Sequence, residues 1–84
     1  MKSVQLTVYS RYGCHLCEDM IAQLTTLQQD YDFQFNVIDI SDDPVLELQF
    51  GVKVPVLIHQ EKEVCQYFLD IDNFKSLMKQ SIYD

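Results

Sequence analysis

Val4-Gln5-Leu6-Thr7-Val8-Tyr9-Ser10-Arg11-Tyr12-Gly13-Cys14-His15-Leu16-Cys17-Glu18 decides how the chain is read. Val4, Leu6 and Val8 alternate with Gln5, Thr7 and Tyr9, the period of a strand with one buried face. Ser10-Arg11-Tyr12-Gly13 breaks that period. From Cys14 the apolar residues fall at Cys17, Met20, Ile21, Leu24 and Leu27, which predicts a helix of about three turns. Two cysteines one turn apart therefore stand where a strand has ended and a helix begins. The first N–H groups of a helix have no partner within it, and its dipole is positive at that end. Such an end favours a thiolate, the form of cysteine that acts as nucleophile. The dipole supplies about 0.3–1 kcal/mol. The rest would come from the N–H groups of Leu16 and Cys17 and from the Cys17 thiol. Cys14, exposed after Gly13, is read as the attacking thiol. Cys17 lies on the core stripe within reach of a mixed disulfide on Cys14, and is read as the resolving thiol.

The remaining elements follow from the same two periods. Asp30-Tyr31-Asp32 ends the first helix, and residues 33–40 read as a strand with Phe33, Phe35 and Val37 on one face. Asp43 caps a short helix that opens with Pro44 and carries Val45, Leu48 and Gln49. Gly51 is expected at its end in a left-handed conformation. Residues 54–58 form a strand, residues 60–63 a turn, and residues 64–68 an antiparallel return. Asp70 caps a last helix with the stripe Ile71, Phe74, Leu77 and Met78. The order is β-α-β-α-β-β-α. Strands joined through a helix are parallel with a right-handed crossover. The expected architecture is α/β, a mixed four-stranded sheet with helices on both faces.

Composition narrows the function. At 84 residues the chain has room for one core, so residues 1–84 are expected to form one domain. Hydrophobic residues make up 48% and charged ones 23%, which excludes long disorder. Six basic against 13 acidic residues leave a net charge of −7, which argues against nucleic acid and anionic membrane as partners. The apolar run at residues 54–58 is too short to span a bilayer. The start, Met1 to Tyr9, is too polar and alternating for a leader. A cytoplasmic monomer is expected. In that compartment three cysteines do thiol or metal chemistry rather than form structural disulfides.

Other residues cluster around the cysteine pair. Val54-Pro55 places a proline at the opening of a strand, and in this order of elements it invites a cis bond. The Val54 backbone would then face outward, where a substrate's main chain can pair beside Cys14. Arg11 and Lys53, two of six basic residues, flank the site and would hold an anionic substrate or favour the thiolate. His15, when charged, would do the latter. Tyr12, Tyr67 and Phe68 read as core or site rim. Cys14, Cys17, Cys65 and His59 have the ligand chemistry for zinc. However, His59 ends a strand that begins at Pro55, about 13 Å from the site at strand rise. Cys65 is read as a small core residue.

Tyr9-Ser10-Arg11-Tyr12-Gly13-Cys14-His15-Leu16-Cys17-Glu18, Asp39, Asp43-Pro44 and Gly51-Val52-Lys53-Val54-Pro55-Val56-Leu57 together resemble the glutaredoxin-like branch of the thioredoxin superfamily. The resemblance covers nearly the whole chain. It implies the thioredoxin fold and thiol–disulfide oxidoreductase activity, with catalytic Cys14 and Cys17 and with Pro55 as the cis-proline. It places Arg11, Tyr12, His15, Lys53, Val54 and Pro55 around the substrate, which would be a small thiol or a protein disulfide. No cofactor is expected to bind tightly, and glutathione would serve as reductant. The chain departs from the family at two places. His15-Leu16 stands where glutaredoxins carry Pro-Tyr, and residues 63–70 lack the glycine pair that holds glutathione there. Weak glutathione binding is therefore expected. Two other classes stay open: a metal or iron–sulfur module using the Cys pair, and a thioredoxin-fold interaction domain without turnover.

Overall fold

The computed structural model describes residues 4–83. Met1, Lys2 and Ser3, part of the polar start noted above, lie outside the described residues. The elements are β1 (Val4–Ser10), α1 (His15–Leu27), β2 (Phe33–Asp39), α2 (Pro44–Phe50), β3 (Val56–His59), β4 (Lys62–Gln66) and α3 (Ile71–Tyr83). Their order is the predicted one. The sheet runs β2-β1-β3-β4. β1 is parallel to β2, with Val4 opposite Phe33 and Ser10 opposite Asp39. It is antiparallel to β3, with Tyr9 opposite Val56, and β3 is antiparallel to β4. The end of β1 and the start of β3 therefore lie at the same end of the sheet. No helix among the described residues is long and apolar enough to cross a membrane.

Strand alternation divides the interior into two layers. Val4, Leu6 and Val8 face one way with Phe33 and Leu57, and meet Met20 and Leu24 of α1 and Phe74 and Met78 of α3. Tyr9, Val56 and Ile58 face the other way and meet Ile40, Leu46 and Phe50. The Tyr9 ring stacks on Phe50 with centroids 4.3 Å apart. Each such side chain, fully buried, contributes about 1.5–3 kcal/mol. Helices α1 and α3 thus cover one face of the sheet and α2 the other.

Several local expectations are corrected. In α2 the buried residue is Phe50, while Val45 is exposed and Leu48 is 90% exposed. A two-turn helix presents little more than one residue to the sheet, and the Tyr9 stack selects Phe50. The Asp43 cap stands as predicted, accepting the N–H of Val45 at 3.0 Å and of Leu46 at 3.2 Å. Gly51 is right-handed, at φ −52° and ψ −35°. It is glycine for lack of space, because a Cβ there would lie 2.4 Å from the Glu47 carbonyl oxygen. Val37 is exposed, since β2 is an edge strand and cover by the helices runs out there. The β3–β4 turn has only Gln60 and Glu61 at its centre, both with positive φ as a tight two-residue hairpin requires. β4 consequently begins at Lys62. It stops at Gln66, because Tyr67 at φ 68° turns the chain out of the strand.

Candidate functional site

The site grows from the turn between β1 and α1. Gly13 has φ 78°, a conformation that glycine alone adopts without strain. This turn brings Cys14 to the N-cap position of α1, with φ −90° and ψ 117°. The Cys14 N–H donates to the Arg11 carbonyl at 3.2 Å, and the Glu18 N–H donates to the Cys14 carbonyl at 3.1 Å. The Cys14 Sγ accepts the Cys17 N–H at 3.2 Å, so a sulfur takes the place usually held by a serine or aspartate oxygen. Cys14 is half-buried, whereas Cys17 is 2% exposed. All three cysteines are free thiols.

The two members of the pair differ in chemistry. Burial, and next its hydrogen bond with Cys14, push the Cys17 thiol up to about 11. Cys17 is therefore neutral at pH 7. Burial also pushes up the Cys65 thiol, which lies on β4 against the main core.

Arg11 is not a free cation. Both of its terminal nitrogens bond Glu47, Nη2 to Oε1 at 2.6 Å, and Nη2 also donates to the Gly51 carbonyl at 3.0 Å. This bidentate pairing raises the guanidinium above its ordinary value and holds the Glu47 carboxyl below the usual carboxylate range. The Asp39 carboxyl is lowered too, chiefly by hydrogen bonds from Ser41, whose N–H lies 2.8 Å away, and further by the Arg11 charge. A carboxylate lowered in the folded state stabilises the fold above its unfolded value. That contribution is lost as pH falls through the lowered one.

Of the other residues expected at the site, Tyr12, His15 and Lys53 are exposed. The His15 side chain is 95% exposed, with Nδ1 3.9 Å from Glu18. The Lys53 ammonium lies 3.8 Å from Glu63 of β4. Tyr12 is 90% exposed. The Val54–Pro55 peptide is cis, with Pro55 buried and Val54 half-buried. Since β1 ends where β3 begins, this peptide and Cys14 share one end of the sheet. Among the described residues no group of three or more His, Cys, Asp and Glu is gathered as a metal site.

Residues 5–79 match the family described as the glutaredoxin-like domain, DUF836. The chain belongs to the glutaredoxin-like family. The solution structure of protein Ne2328 from Nitrosomonas europaea is similar to this glutaredoxin-like domain at TM-score 0.85 and 41% identity, over 93% of this chain and 94% of that one. The X-ray structure of the protein XcR50 from X. campestris is similar at TM-score 0.69 and 29% identity, over 89% and 96%. Thioredoxin 1 from Thermosipho africanus superposes at TM-score 0.61 with 20% identity, over 92% and 97%, which places the sheet and helices in the thioredoxin fold. No curated protein matches significantly.

Two residues of this end of the domain escape sequence reasoning. Glu47 is one acid among 13 acidic residues and lies 36 positions from Arg11. Tyr67, read only as core or rim, donates its hydroxyl to the Val52 carbonyl at 2.6 Å. Neither contact leaves a local pattern in the chain.

Proposed function

We propose that this glutaredoxin-like domain is a thiol–disulfide oxidoreductase in which Cys14 attacks and Cys17 resolves. One observation supports this above the others. The Cys14 sulfur caps α1 and accepts the Cys17 N–H, one turn from a buried, neutral Cys17 thiol. That N–H holds the Cys14 sulfur at the start of the helix, where it can meet a substrate disulfide.

In the first step the Cys14 thiolate attacks one sulfur of a substrate disulfide. A Cys14–substrate bond forms, the substrate S–S bond breaks, and the other half leaves as a thiolate. Cys17 then gives up its proton and attacks the Cys14 sulfur. The Cys14–Cys17 disulfide forms, and the second substrate sulfur leaves and is protonated. Two electrons have passed from the dithiol to the substrate. The hydrogen bond and the charge of Cys14 both oppose ionisation of Cys17. Both are lost once Cys14 is in a mixed disulfide, so Cys17 becomes easier to ionise at the step that needs it. A thiol such as glutathione would return the electrons with no tightly bound cofactor, and the expected setting is a cytoplasmic monomer.

The decisive experiment is trapping. Cys17→Ser should accumulate mixed disulfides on Cys14, detected by mass, and Cys14→Ser should accumulate none. Normal turnover of a glutathione mixed disulfide by Cys17→Ser would instead assign a monothiol route.

Glutathione itself should be a weak substrate. Arg11 is engaged by Glu47 and Gly51, and Lys53 by Glu63, so an anionic ligand meets little unpaired positive charge. Exposed pairs contribute about 0–1 kcal/mol and are screened by salt. Reduction of a glutathione mixed disulfide should therefore be slow at about 0.05 M salt and rise toward about 0.5 M, where the Debye length shortens from about 14 to about 4 Å and the repulsion from the net charge of −7 is screened. Reduction of a protein disulfide should change less. Efficient, salt-independent glutathione turnover would contradict this.

A further inference from the structure

Tyr67 follows β4 and holds the segment before β3 at two points. Its N–H donates to the Pro55 carbonyl at 2.9 Å, and its hydroxyl donates to the Val52 carbonyl at 2.6 Å. It does so at φ 68°, a left-handed conformation that bulky side chains rarely take and that persists only where the surroundings enforce it. The two bonds clasp both ends of residues 52–55. Arg11 of the cysteine loop holds the preceding carbonyl, that of Gly51, at 3.0 Å. Between these clamps lies Val54, whose backbone N–H and C=O bond nothing among the described residues. A fixed, unpaired stretch of backbone at the same end of the sheet as a nucleophile can add an extended chain by main-chain hydrogen bonds.

We infer that Tyr67 is a positioning residue, holding the Val54 main chain as the edge on which a polypeptide disulfide substrate lies while its sulfur reaches Cys14. This rests on the thiol–disulfide reading above and on the outward Val54 backbone expected from the sequence; what it adds is the role of Tyr67. A small reagent needs only the Cys14 sulfur. A polypeptide needs the sulfur and the edge together, so loss of the Tyr67 hydroxyl affects the second and spares the first.

The test uses Cys17→Ser, so that reaction stops at the mixed disulfide, with and without Tyr67→Phe. One probe is a peptide whose single cysteine carries thionitrobenzoate, and the other is dithiobis(nitrobenzoate). In both, the Cys14 thiolate displaces thionitrobenzoate and forms a new S–S bond, so the coloured leaving group is the same and only the main chain differs. A net hydrogen bond corresponds to about three- to tenfold in rate. Tyr67→Phe should slow the peptide reaction by about that factor, leave the small reagent unchanged, and speed hydrogen exchange at the Lys53 amide, which donates to the Phe50 carbonyl at 2.8 Å. Equal slowing of both reagents would reduce Tyr67 to a structural role and overturn the inference. So would an unchanged peptide rate, whether or not exchange speeds up. If the Cys17→Ser parent forms no adduct with either probe, the thiol–disulfide reading itself falls and this inference with it.

Discussion

Iodoacetamide at pH 7 should alkylate Cys14 well before Cys17 or Cys65. Only the thiolate reacts, and a thiol raised to about 11 is ionised to roughly one part in ten thousand at pH 7. Even a thiol of ordinary acidity, about 3% ionised there, would outpace it by about 300-fold. Cys17 is also shielded from solvent, while Cys14 is partly open at the start of α1. Cys65 is slowed by burial in the same direction. Raising the pH toward 11 should bring in Cys17, because its thiolate fraction then grows tenfold per unit. Timed alkylation followed by peptide mass analysis reads all three rates. Labelling of Cys65 first, or of all three together, would remove Cys14 from the role of attacking thiol.

Phe74→Ala should cost about 3–5 kcal/mol, a large part of the stability of a domain this small. Phe74 is 0% exposed. Its ring meets Phe33 edge-on at 5.2 Å and Tyr31 at 5.3 Å, so truncation removes two aromatic contacts as well as buried area. It shares its cluster with Met20 and Leu24, the inner face of the helix that carries Cys17. The urea midpoint should fall with little change in slope. Where Cys17 is labelled only through global opening, its alkylation should quicken by the factor that stability falls. A loss below about 1 kcal/mol would mean that the neighbouring rings close over the gap.

Much of the site was legible because it is built from consecutive residues. The break at Gly13, the cysteines at positions 14 and 17, and apolar spacing from Cys17 to Leu27 together place a thiol at a helix start. The Asp43 and Asp70 caps were equally plain, since a cap and the N–H it binds lie two or three residues apart. Strand limits were less so. β4 ends at Gln66 because of the Tyr67 backbone angle, and that angle is sustained by bonds to Val52 and Pro55 more than ten residues earlier.

By itself the sequence determined the order of elements, the two faces of the sheet and the reading of Cys14 and Cys17. Periods of two and of 3.6 residues, and the chemistry of a helix end, are written in neighbouring positions. The tertiary structure alone decided what surrounds the thiols. It engaged Arg11 with Glu47 and the Gly51 carbonyl, where composition had suggested a patch for anions. It left His15 in solvent and set Tyr67 as a clasp on residues 52–55. These outcomes depend on which side chains meet after the sheet has brought distant segments to one end. A hydrogen bond between residues 36 positions apart imposes no period on the chain, so nothing local could have announced it.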